Sequence, residues 1–190
     1  MKKPLKFAAY SGVLALVLSF IHLILTLRFA DYQAILSIKL ITLVFSLSMY
    51  FFFIFYCYGF VTLARKFNAK LLLIMAWINV VCWAIGLAIN LISTMFNFVS
   101  GFGSAQATSD FVVLVLVLFI VSSIITGVFL ILFGVGLLKL KGKVEYAKVA
   151  GILNIIAGAT CIILVGYLLA MAANIVEVIL MFKASKKFEK

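Results

Sequence analysis

The sequence predicts an all-α protein, a polytopic integral membrane helix bundle with six transmembrane helices, or five in the alternative. Of its 190 residues, 67% are hydrophobic and 11% are charged, and the mean hydropathy of +1.35 lies far above that of soluble domains. Several apolar runs exceed the roughly 18 residues that indicate a membrane-spanning helix, and the single proline, Pro4, precedes all of them. We therefore expect one transmembrane domain over residues 1–190 and no soluble domain.

The predicted spans cover about residues 7–27, 35–64, 71–95, 111–138, 147–165 and 168–183. The first run follows Lys2, Lys3 and Lys6, and it is longer than the core of about 7–15 residues in a signal peptide, which predicts a retained anchor helix. The second run exceeds a hydrocarbon core of about 30 Å, which predicts tilt or protruding ends. The third begins after a short basic turn, and the fourth follows the glycine- and serine-rich loop 97–110.

The end of the chain decides between five and six spans. Residues 149–182 contain no Lys, Arg or Pro, and as one straight helix they would extend about 51 Å. A stripe of small residues in 147–161 and a second stripe around Glu177 would then lie about 150° apart. A break near residues 165–169, with Gly166 as the hinge, would let both stripes face the bundle interior, so we predict two short spans.

The positive charges favour the same topology. With six spans, 14 of the 16 basic residues lie on the cytoplasmic side, but with five spans only 10 do. We therefore expect a multi-pass protein of the cell membrane whose two termini are both cytoplasmic. Because the basic residues flank apolar runs rather than cover a soluble face, we expect no nucleic-acid partner. Anionic membrane lipid is the expected partner of the basic face.

A stripe of small residues in 147–161 predicts a seam for close helix packing. Its members recur at spacings of three and four, and small side chains let helix backbones approach closely within a membrane. The stripe predicts assembly, as a homo-oligomer or with a partner membrane subunit. The seam consists of Ala147, Ala150, Gly151, Asn154, Ala157, Gly158 and Cys161.

Four polar residues inside apolar runs form a candidate intramembrane site: Glu177, Asn79, Asn154 and Asn174. An acidic side chain within a membrane is costly, and it often marks an ion path, a proton site or a specific partner. In the alternative, Glu177 is hydrated or paired with a lysine near the interface, since Lys183 follows six residues later. The asparagines have their own alternative, which is hydrogen bonding between helices.

Aromatic residues form a candidate surface for lipid or another hydrophobic ligand. They are dense in residues 50–58, and a tryptophan deep in the third span is their natural companion. The alternative is a surface that faces lipid or packs between helices. The candidates are Tyr50, Phe53, Tyr56, Tyr58 and Trp83.

A weak internal repeat appears when the chain is offset by 75 residues. Gly59 then falls on Gly134, and Asn79 falls on Asn154. This pattern predicts a parallel repeat of two helical hairpins with the same orientation, and shared composition is the alternative explanation.

The sequence contains no motif that would identify an enzyme. Nucleotide-binding, hydrolase and metalloprotease motifs are absent, the three cysteines form no CxxC pair, and His22 is the single histidine. We therefore expect no catalytic residues, no metal and no cofactor. Three functions are open: a structural or accessory subunit that assembles through the seam, which we favour; a small transporter or channel that uses Glu177 and the asparagines; and a lipid- or hydrophobe-binding protein.

Overall fold

The computed structural model describes residues 2–28, 36–99, 109–161 and 163–187, and this part of the chain contains helices and turns but no strands. The chain forms the predicted all-helical bundle, built from long apolar stretches without internal proline. The helices are α1 Lys2–Arg28, α2 Leu36–Lys66, α3 Lys70–Val99, α4 Ser109–Leu138, α5 Ala147–Ala159 and α6 Leu164–Lys187.

One end of the bundle collects most of the positive charge, and we call it the basic end. It consists of the start of α1, the α2–α3 turn (67–69), the α4–α5 turn (139–146) and the end of α6. The Tyr10 ring packs against Phe182 at 5.1 Å, and the Lys187 ammonium donates a hydrogen bond to the Lys143 carbonyl at 2.6 Å. The start of α1 and the end of α6 therefore lie at the same end of the bundle.

Five of the six helices are long and apolar enough to cross a membrane. The exception is α5, whose 13 residues extend about 20 Å, less than a hydrocarbon core of about 30 Å. The prediction of a fifth span over 147–165 is therefore wrong at its end, because the helix stops at Ala159. The last helix likewise begins at Leu164 rather than at residue 168.

The predicted hinge at Gly166 is also wrong. The helical chain is interrupted between the end of α5 at Ala159 and the start of α6 at Leu164, and the Thr160 hydroxyl donates a hydrogen bond to the Ile156 carbonyl at 2.8 Å. Gly166 lies in the first turn of α6, packed against the preceding turn, and a Cβ atom there would lie 2.5 Å from the Cys161 Cα. Glycine is thus required at this position for a close backbone approach rather than for bending.

The small-residue seam packs α5 against α4. All seven of its residues are buried. A Cβ on Gly151 would lie 2.8 Å from the Gly134 carbonyl oxygen. Two turns further along α5, a Cβ on Gly158 would meet the Gly127 carbonyl oxygen in the same way. Because backbone meets backbone in an antiparallel hairpin, the seam is filled within the chain and is not available to a second copy or a partner subunit.

The two hairpins that the repeat relates, α2–α3 and α4–α5, both turn at the basic end and so share one orientation. Their packing differs, however. Gly134 faces Gly151 on α5, whereas its counterpart Gly59 faces Ala8 on α1 and Met181 on α6. Descent from a duplicated hairpin stays a prediction.

Candidate functional site

A cavity of about 380 Å³ lies inside the bundle, between α2, α3, α4, α5 and α6. We call it the Glu177 cavity after its one acidic residue. Glu177 lies ten residues before the end of α6, and Asn79 lies nine residues after the start of α3. At a rise of about 1.5 Å per residue, both residues lie roughly 15 Å along their helices from the helix ends at the basic end.

Two neutral donors hold the Glu177 carboxylate, which is only 2% exposed. The Tyr56 hydroxyl donates to one carboxylate oxygen at 2.7 Å, and the Asn154 amide donates to the other at 2.5 Å. The same amide nitrogen also lies 2.9 Å from the Ala150 carbonyl oxygen. The three side chains come from α6, α2 and α5, so the carboxylate links three helices.

No positively charged side chain pairs with Glu177 within the described residues. Lys183, which follows it in sequence, instead forms an ion pair with Glu145 at 3.1 Å at the exposed basic end. Pairing of Glu177 with a lysine, one form of the alternative, is therefore wrong, and its hydration stays a prediction. Its carboxylate is buried in the bundle and satisfied by hydrogen bonds, but not by an opposite charge.

Aromatic rings form much of the cavity wall. Phe53 and Trp83 stack nearly parallel, with centroids 4.4 Å apart and planes 4° from parallel. The Phe60 ring meets Tyr56 edge to face at 5.3 Å and Phe133 at 5.1 Å. An apolar, aromatic cavity with a few convergent polar groups has the composition of a small-molecule binding site.

The cavity brings together most of the residues that the sequence singled out. All four polar candidates line it, and so do three of the five aromatic candidates: Glu177, Asn79, Asn154, Asn174, Phe53, Tyr56 and Trp83. Tyr50 lies outside, against the far side of Trp83 at 5.5 Å. Tyr58 is exposed and packs on Trp77 at 6.1 Å, so it is not part of the site.

The sequence did not identify the residues that α4 and the start of α6 contribute. Phe129, Phe133 and Tyr167 line the cavity, but in sequence they are indistinguishable from other aromatic residues in apolar runs. The spacing of four between Phe129 and Phe133 was the available signal, because it places both rings on one helix face.

The cavity reaches the outer surface of the bundle. Thr126 on α4 and Tyr167 on α6 both line it and are both exposed. The Tyr167 hydroxyl lies 3.1 Å from the Ser123 hydroxyl, which fixes the tyrosine at this edge. The cavity is therefore not fully enclosed by the described residues at this edge.

Within the described ranges, no three side chains of the His, Cys, Asp and Glu types come together as metal ligands. Cys57 and Cys161 do line the Glu177 cavity, but both are buried free thiols. The groups available for binding are thus one carboxylate, three amides, hydroxyls and aromatic rings. Comparison with models of protein families, with curated proteins and with solved structures finds no match to this chain.

Proposed function

We propose that this protein binds a small lipophilic cation inside the membrane, in the Glu177 cavity. The observation that carries the proposal is a buried carboxylate, without a cationic partner in the described residues, on the wall of an aromatic cavity. The proposal combines the polar site and the hydrophobic-ligand site predicted separately from the sequence.

The electrostatics favour a cationic ligand. A carboxylate in a low-dielectric interior is costly unless an opposite charge compensates it, and two neutral hydrogen bonds orient it without supplying that charge. A ligand ammonium group would supply the charge. The rings of Tyr56, Phe53 and Trp83 would add attraction, because the face of an aromatic ring carries negative electrostatic potential.

The rest of the ligand would be apolar. Phe60, Phe129 and Phe133 offer hydrocarbon and ring surface but no charge. A lipophilic cation would also concentrate in the membrane and reach the cavity laterally at Thr126 and Tyr167. The accessory-subunit function receives less support, since its seam is buried between α4 and α5.

Transport of the ligand is the second candidate function, and the short helix α5 favours it. Its 13 residues end about 20 Å from the basic end, so the end of α5 lies at membrane depth. Discontinuous helices of this kind commonly surround the binding sites of transporters. For the orientation, we propose that the basic end faces the cytoplasm and that the protein lies in the cell membrane.

Binding is tested with a matched pair of molecules, the cation benzyltrimethylammonium and its neutral isostere neopentylbenzene, on protein in lipid nanodiscs. The chain has two tryptophans, so a Trp77→Phe background leaves Trp83 as the single reporter in the cavity wall. We expect the cation to change the Trp83 fluorescence saturably and to bind more tightly than the isostere.

Glu177→Gln is the decisive variant, and Glu145→Gln, which removes an exposed acidic residue, is its matched control. We expect Glu177→Gln to weaken cation binding about tenfold or more, with isostere binding changed less than about twofold. Equal cation affinity in both variants would refute the proposed function.

For transport, uptake of the labelled cation into proteoliposomes should be lost in Glu177→Gln and kept in Glu145→Gln. Binding without uptake would limit the function to binding.

A further inference from the structure

A second concave site lies at the basic end, separate from the Glu177 cavity. This groove of about 900 Å³ runs between the α4–α5 turn and the end of α6, and residues 141–146, 148–149, 183–184 and 186–187 line it. Its wall contains six lysines and one glutamate, which is a formal net charge of +5. We propose that this basic groove binds the phosphate-bearing headgroup of an anionic phospholipid, with an acyl chain lying along the outer face of α5.

The charges of the groove are only partly compensated. Glu145 is its single acidic residue, and the Glu145 carboxylate forms an ion pair with the Lys183 ammonium at 3.1 Å. Within the part of the chain that the structure describes, no acidic side chain pairs with Lys141, Lys148 or Lys186, and all three are exposed. Three lysines without acidic partners that line one groove are suited to a phosphate group, since each lysine near an anionic membrane surface adds appreciable attraction.

The groove is held in shape rather than formed by loose side chains. The Lys183–Glu145 ion pair and the hydrogen bond from Lys187 to the Lys143 carbonyl, at 2.6 Å, join α6 to the α4–α5 turn. Gly142 has a φ of 78°, which a glycine adopts without strain. These two contacts place the end of α6 beside the α4–α5 turn, so the lysines of both segments line one groove.

A row of exposed apolar residues extends from the groove along α5. This row favours a lipid as the ligand over a soluble anion, because it can contact an acyl chain. Val149 lines the groove and is 47% exposed. Ile152 and Ile156 continue from it at spacings of three and four, and they are 40% and 44% exposed. These residues share the face of α5 opposite the buried seam, so one acyl chain can follow them while the headgroup stays at the lysines.

The test measures retained lipid by native mass spectrometry of the full chain released from membranes that contain phosphatidylglycerol and phosphatidylcholine. The groove variant is Lys141→Gln, Lys148→Gln and Lys186→Gln. The control is Lys3→Gln, Lys70→Gln and Lys139→Gln, which removes the same charge from exposed lysines at the basic end but outside the groove. Thermal unfolding of both variants verifies that they fold.

We expect wild type and control to retain one phosphatidylglycerol in preference to phosphatidylcholine, and the groove variant to bind it about tenfold more weakly or worse. Equal loss in both triple variants would overturn the proposal, because only general surface charge would then matter. Glycerophosphoglycerol, the headgroup without acyl chains, should compete poorly. Displacement of the lipid by this headgroup at a similar concentration would also overturn the proposal, since the groove would then bind a soluble phosphate ester.

Discussion

The Glu177 carboxylate and the Asn154 amide are joined by a 2.5 Å hydrogen bond, although 23 residues separate them in the chain. The same amide lies 2.9 Å from the Ala150 carbonyl oxygen of its own helix, so its orientation is fixed from both sides. This contact ties the short helix α5 to α6 at the cavity wall. It also makes Asn154 a member of both the packing seam and the candidate binding site.

A double-mutant cycle measures what this contact contributes. Asn154→Leu, a change of similar size, should lower the free energy of unfolding by about 1–3 kcal/mol, because a buried carboxylate oxygen loses its donor. In a Glu177→Gln background the same change should cost less, and the coupling appears as the difference between the two. Unfolding is followed in detergent or nanodiscs, and additive effects would show that the two residues do not interact.

Glu177→Gln itself should leave the ligand-free protein at least as stable as wild type. The Gln oxygen can accept from Asn154 and its amide can donate to the Tyr56 hydroxyl oxygen, while the uncompensated buried charge is gone. Glu145→Gln, the exposed control, should change the free energy of unfolding by less than about 1 kcal/mol. A large destabilisation by Glu177→Gln would show that the carboxylate serves the fold rather than a ligand.

The α4–α5 seam should tolerate no side chain at its glycines. Gly151→Leu places atoms where the Gly134 carbonyl lies, so the helices must separate, and we expect a loss of at least about 1–3 kcal/mol. Ala159→Leu, on the same helix but at an exposed position, is the matched control and should change the midpoint of thermal unfolding little. Wild-type stability in Gly151→Leu would mean that α5 does not pack on α4 as described.

The start of α1, the α2–α3 turn, the α4–α5 turn and the end of α6 share one end of the bundle, and this predicts the topology of the membrane-inserted protein. Reporters fused after Phe67, after Gly142 and after Lys187 should all be active on the same side, since these positions lie at one end of the bundle. A fusion after Arg28, at the far end of α1, should report the opposite side. We expect the first three to be cytoplasmic. Activity after Lys187 on the side opposite to Phe67 would contradict the topology.

Helical periodicity alone predicted which face of α5 is buried. The small residues recur at helical spacing, and the structure buries every one of them. Their partner was not predictable, because small residues suit any close helix contact, within a chain or between chains. The sequence analysis also placed the end of the fifth helix too far along the chain, at residue 165 instead of Ala159. The sequence between Ala159 and Leu164 contains neither a proline nor a charge to mark a helix end, and the close approach of Gly166 to Thr160 and Cys161 is visible only in the folded chain.

The sequence by itself determined the five helices that are long and apolar enough to span a membrane, the basic end and the candidate polar and aromatic residues, because hydropathy, charge and helical spacing are local properties. Only the tertiary structure decided which faces meet. Lipid and the bundle interior are both apolar, so hydropathy does not distinguish a side chain that faces one from a side chain that faces the other. The contact between Tyr56 and Glu177 joins residues 121 positions apart, and such contacts exist only once the helices have packed.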